Sequence, residues 1–164
     1  MIAPADLMRA SHPDDIPLLR AVASLCASAG RFFQLAASQV STGNLRYQFA
    51  TLARLHVSAS QQLPDHADAA ALRQLCPQLA AVQYWYLQQH NKLQQHECSP
   101  ALLAELAILL PQQLAALKQL TRCSSHRLQA GLAHFTAALQ VACDQLLPLL
   151  QVLPVSRQKI QTKN

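Results

Sequence analysis

Two residues in the first half of the chain carry most of the chemistry this sequence offers, the thiol of Cys26 and the imidazole of His56. A thiol and an imidazole side by side can form an activated nucleophile, and both are ligands for a soft metal such as zinc. The other chemistry-bearing residues are scattered. Cysteines recur at 76, 98, 123 and 143 without a C-x-x-C pair. His90 and His96 are six residues apart, whereas a metal pair on one helix face needs three or four. The only glutamates are Glu97 and Glu105, and neither has a histidine three residues on. There is no Gly-rich phosphate loop and no G-x-S-x-G signature, so no catalytic residues are assigned and the balance leans against an enzyme, with a scattered site left open.

The plainer reading of the pair is a small buried hydrophobe beside a histidine that bonds a neighbour. A zinc site would need a third and a fourth ligand. His134 and Cys143 lie off the main apolar stripe of the last helical segment, which makes them poor candidates. No metal and no cofactor is therefore expected, with Cys26 and His56 kept as the candidates if one is present. His56 is also the residue a histidine phosphotransfer domain would use. In such domains the histidine is exposed and closely followed by Lys and Gly; here His-Val-Ser-Ala follows, and the histidine falls on a core stripe.

The elements that position these residues are helices. The chain has 164 residues, 51% of them hydrophobic, and only three glycines. Ala and Leu dominate, and both lose little on entering a helix. Residues 1–13 read as a flexible leader, 14–153 as one helical bundle and 154–164 as a disordered basic tail. Asp14 or Asp15 caps the first helix, with Pro17 in its first turn. Val22, Cys26, Ala29, Phe33, Ala36 and Val40 then recur at helical spacing, and Leu45, Phe49, Leu52, His56, Ala59 and Leu63 repeat it after a turn at 41–44. Gly43 is a left-handed candidate in that turn. A turn this short makes the two helices antiparallel neighbours. Residues whose numbers sum to 85 then lie at similar height, so Cys26 and His56 are roughly 4–5 Å apart along the axis, on helices about 8–10 Å apart.

From 67 to 96 the pattern is helical but irregular, and Pro77 divides it. Tyr84, Trp85 and Tyr86 are adjacent and cannot share one helix face. Ser99-Pro100 is a helix start, and the helix it opens carries Leu103, Leu106, Leu110, Leu114, Leu117 and Leu120, with a kink expected at Pro111. Cys123-Ser124-Ser125 is the next cap. The last helix carries Leu128, Leu132, Phe135, Leu139, Ala142, Leu146, Leu149 and Leu153, with a kink expected at Pro148. The expectation is an all-α, four-helix bundle made of two antiparallel hairpins, joined by a long, partly helical crossover. That is the ferritin-like arrangement.

Charge narrows the partners. Charged residues are 13% of the chain, about half the usual share of roughly 25%, and Gln fills the polar positions. Such a surface is easily desolvated, which favours a homo-oligomer or a protein partner. The net charge of +5 comes from Arg and Lys scattered singly, with one concentration in the tail at Arg157, Lys159 and Lys163; a nucleic-acid partner, which wants a basic stripe or cluster, is not expected. The opening MIAPADLMRASHPDD has neither a basic start nor an apolar run, so no export signal is read. The most apolar run, ALLAELAILL, is ten residues long, too short for a membrane span. An odd number of unpaired cysteines without an export signal points to the cytoplasm.

The segment RFFQLAASQVSTGNLRYQFATLARLHVSASQQL resembles the first hairpin of ferritin-like proteins related to rubrerythrin. It is most similar to a bacterial ferritin-like family whose own function is not established. Phe33, Ala36 and Ala37, a short polar turn, Leu45, Phe49, Leu52 and Ala53 carry the match. Trp85 falls in the crossover, as an aromatic does in that family, and LLAELAILLPQQLAALKQL would be the third long helix. The resemblance spans most of residues 18–150, the first hairpin best. It implies a di-iron site, which needs four Glu and two His in fixed pattern. This chain departs from that pattern. His56 and Ala59 stand where a Glu-x-x-His would fall, the earlier ligand would fall near Cys26, and Asp144 is the only acid of the last helix. The hard carboxylate ligands of iron are missing, so the resemblance carries the architecture without the di-iron centre.

Overall fold

The computed structural model describes residues 15–62, 76–124 and 126–152. Among them are five helices and no strand: α1 (Asp15–Gln39), α2 (Gly43–Gln62), α3 (Pro77–Gln95), α4 (Pro100–Cys123) and α5 (His126–Val152). The leader, the basic tail, the segment 63–75 and Ser125 lie outside the described residues, as do the caps expected at Asp14 and Ser125. The first helix begins at Asp15.

Each boundary has a local cause. Helix α1 ends without a left-handed glycine. The guanidinium of Arg46 donates instead to the Val40 carbonyl, at 3.0 and 3.2 Å from Nη2 and Nε. Gly43 opens α2, with no positive φ, so the role expected for it falls to an arginine one turn into the next helix. Pro77 sits in the first turn of α3, where its missing N–H costs nothing. Ser99 caps α4 as expected, its Oγ accepting from the Leu102 amide at 3.1 Å. Helices α4 and α5 run on through Pro111 and Pro148. Both prolines are exposed, so the carbonyls they leave unbonded lie on the solvent side of their helices.

The helices close into a ring. Taken by their main contacts, α1 packs on α2, α2 on α5, α5 on α4, α4 on α3, and α3 back on α1. The two expected hairpins are both present. The segment 77–95, read as part of a crossover, is a core helix in its own right. Leu79, Val82, Tyr86 and Leu93 form its buried face. Insertion of α3 between α1 and α4 explains why α1 is apolar beyond its single stripe. Val22, Cys26, Ala29, Phe33 and Ala36 are joined in the core by Leu25 and Phe32; Phe32 packs on Trp85 and Tyr86 of α3, ring centroids 5.2 and 5.3 Å apart. Gln83 adds polar ties from α3 to Ser24 and Ser28 of α1 at 2.8 and 3.4 Å.

Helix α4 is the most apolar. The ten-residue run in its sequence extends into a 24-residue helix with a stretch of mean hydropathy 1.5, enough by length and composition to cross a membrane. Half of that stretch is buried within the protein, as befits the core helix of a bundle.

The approach of α1 to α2 depends on Gly30. A Cβ there would stand 2.7 Å from Cγ2 of Val57, a β-branched side chain with little rotameric freedom. Alanine at this position gains about 1 kcal/mol of helix propensity and meets an overpacking cost of about 1–3 kcal/mol. Gly30→Ala should therefore lower stability by about 1 kcal/mol in urea denaturation, and raise it when Val57→Ala makes room. Equal effects in the two backgrounds would show that the contact is not limiting.

Candidate functional site

The site begins with a backbone carbonyl. The Nδ1 of His56 lies 2.8 Å from the carbonyl oxygen of Leu52, one turn earlier on α2. A carbonyl only accepts, so Nδ1 carries the proton, and in a neutral ring Nε2 is left as an acceptor. Gln113 of α4 meets it, its side-chain Nε2 donating across 3.1 Å. The carbonyl end of the same amide then faces α3 and accepts from the hydroxyl of Tyr86 at 2.5 Å. The result is a one-way chain of donors running from Tyr86 through Gln113 and His56 to Leu52. All three side chains are buried, with 0% of each exposed.

Aromatic rings wall the chain. Phe33 of α1 stacks on the imidazole at 5.6 Å between centroids, and Phe135 of α5 meets it edge-on at 5.7 Å. Tyr86 also lies edge-on to the imidazole, at 6.4 Å. All five helices thus contribute a side chain to the same centre, and each polar atom named above has a partner. In this low-dielectric setting an unpaired amide or hydroxyl costs about 1–3 kcal/mol, so the three residues hold one another in place.

Burial sets the protonation states. Removal from water lowers the pKa of His56 to about 4, against a smaller upward pull from the Leu52 carbonyl. Burial pushes the Cys26 thiol up to about 12. Cys143 is likewise raised to about 12, by burial first and then by the charge of Asp144. Tyr86 is raised well above 10 by burial, with further contributions from Cys143 and Cys26. At neutral pH every titratable group at this centre is uncharged.

The sequence candidates fall into this frame unevenly. His56 and Cys26 are both fully buried in the bundle centre. The hydrogen bonds of His56 go to Leu52 and Gln113, not to the thiol. Cys143, set aside as off the main stripe, is fully buried, while His134 is exposed. The apolar face of α5 is wider than a single stripe because it packs on both α2 and α4. Among the described residues, no group of three or more His, Cys, Asp or Glu side chains is placed to hold a metal ion. Of the adjacent aromatics, Tyr86 enters the core, Trp85 is half-buried with its indole donating to Glu105 at 3.0 Å, and Tyr84 is exposed. Gln113 escaped notice in the sequence. Its signal was a polar residue at the apolar spacing of Leu106, Leu110 and Leu117.

The pH dependence follows from the imidazole. Its pKa is lower folded than unfolded, so the unfolded chain binds the proton more readily between about pH 6.5 and pH 4. Stability from this group is complete above pH 6.5 and falls as the pH drops through that window, by about 3 kcal/mol in all for a shift of roughly 2.5 units. Urea unfolding between pH 4 and 7 should show this slope, and His56→Gln should flatten it. A wild-type stability that does not change over this range would contradict the burial of a neutral ring.

Comparison of the chain with protein-family models, curated proteins and solved structures finds no match.

Proposed function

We propose that the chain is a non-catalytic helical interaction protein, ferritin-like in plan and without a di-iron site, that works by self-association or by binding another protein. The pairing of hairpins α1–α2 and α4–α5 through α2 and α5 supports that plan, with α3 as a helical crossover that has joined the core. The observation that carries the functional reading is the outward face of α4. Ala101, Ala104, Ile108, Gln112, Ala115 and Gln119 are exposed there, with Glu105, Lys118 and Arg122 as the charged residues on the same side, and Ile108 is 64% exposed. Burying the alanine, isoleucine and glutamine patch around Ile108, with the charges left at its rim, gives up little ionic hydration. The five cysteines are free, which fits a reducing, cytoplasmic setting.

Light scattering across a concentration series tests the proposal. Self-association predicts a mass that climbs from 18.0 kDa toward a multiple of it, and Ile108→Lys should shift the transition to at least about tenfold higher concentration, a change of roughly 1.4 kcal/mol. One-chain mass throughout would remove self-association from the proposal.

A second reading, a small redox or soft-metal protein, rests on the two buried thiols near Tyr86 together with His56. Native mass spectrometry with added zinc separates the two. Stoichiometric zinc lost in Cys26→Ser supports the metal reading, and a zinc-free protein of unchanged stability contradicts it. Phosphotransfer gains no support, since the His56 ring is fully buried and both its nitrogens are engaged.

A further inference from the structure

The Gln113 amide is the one member of the buried chain that can present either of its ends to either neighbour. As placed, its N–H₂ faces His56 and its carbonyl faces Tyr86. Turned over, it would offer its carbonyl to His56 Nε2 and its N–H₂ to the tyrosine oxygen. The first arrangement suits a neutral imidazole, because a bare Nε2 accepts. The second suits an imidazolium, because a protonated Nε2 donates. The amide orientation and the charge on His56 are thus coupled.

Tyr86 decides which arrangement holds. Its hydroxyl donates to the amide carbonyl, and turning the amide would take from that proton the one acceptor it has among the described residues. We propose that Tyr86 is a latch that fixes Gln113 with its N–H₂ toward His56, and that the bundle centre is thereby an acid-sensitive switch whose set point Tyr86 controls.

Among the described residues, the surroundings supply no competing charge. From α1 the centre receives Phe33 and the thiol of Cys26, from α3 Tyr86, from α4 Gln113, and from α5 Phe135 and the thiol of Cys143. Asp144 of α5 is exposed and acts on Cys143. Burial and the Leu52 carbonyl are the named influences on the ring. Protonation of His56 is therefore met only by the amide, and the switch is internal to three helices. When the proton binds Nε2, it comes from solvent; the N–H formed donates to the turned carbonyl of Gln113, and no other bond is made or broken apart from hydrogen bonds.

The test is the pKa of His56, read from imidazole chemical shifts in wild type and in Tyr86→Phe. The phenylalanine keeps the ring and removes the hydroxyl, so turning the amide no longer strands a tyrosine proton, and the upright amide no longer gains a bond from it. The latch predicts that His56 becomes at least about tenfold more basic in Tyr86→Phe, a rise of one unit or more. If burial alone sets the value, the two proteins titrate together, and the proposal fails. A second variant guards against loss of fold. Gln113→Glu supplies an acceptor to both neighbours and should hold His56 protonated at neutral pH, with its pKa above the ordinary 6.5. A neutral His56 in folded Gln113→Glu at pH 7 would likewise overturn the inference.

Discussion

The amide of Gln113 is shared between an imidazole on one helix and a phenol on another, and inside a packed core it can release neither without stranding it. Two hydrogen bonds from one side chain fix α2, α3 and α4 against each other. A slip of any one of them by a turn, about 5.4 Å, would break at least one bond outright. Apolar packing alone constrains such slips poorly in this chain, because its helices are built from repeated Leu and Ala that would pack nearly as well one turn along. Phe33 and Phe135 complete the arrangement from α1 and α5, so the whole ring of helices is registered on one imidazole.

The same burial accounts for the chemical quiet of the site. A thiol and an imidazole in one core suggest a reactive pair, yet each group is displaced toward its neutral form: His56 downward to about 4, Cys26 upward to about 12. A nucleophilic cysteine needs a nearby positive charge to become a thiolate, and the low-dielectric centre removes the charge from both partners. The imidazole, the Gln113 amide and the Tyr86 hydroxyl instead commit their hydrogen bonds to one another and to the Leu52 carbonyl.

Much of this was legible in the sequence. The stripes of α1 and α2, the Ser99 cap and the two hairpins follow from spacing and from single residues with one strong local preference. Placement of His56 on a core face was also legible, since it falls in register between Leu52 and Ala59. The helix from Pro77 was legible as a helix but not as a core element, because the aromatic cluster at 84–86 obscured its apolar face and its partners lie far along the chain. Cys143 was set aside because it widens its stripe, and the width of a helix's buried face depends on how many neighbours it has; Gln113 keeps the apolar spacing of its helix, but its partners His56 and Tyr86 lie on other helices. Both are tertiary properties. Cys26 and His56 were correctly placed in one core, but hairpin geometry alone left open which hydrogen bonds His56 would make, and Gln113 with the Leu52 carbonyl takes both of its nitrogens.

The direction of the buried chain is its most exposed consequence. If Leu52 accepts from Nδ1 and Gln113 donates to Nε2, His56 exists at neutral pH as a single tautomer with its proton on Nδ1. Nitrogen-15 spectroscopy of the histidine side chains reads this directly. The account predicts a bare Nε2 with a through-hydrogen-bond coupling to the Gln113 amide nitrogen. An Nε2–H tautomer, or rapid averaging between the two forms, would contradict it.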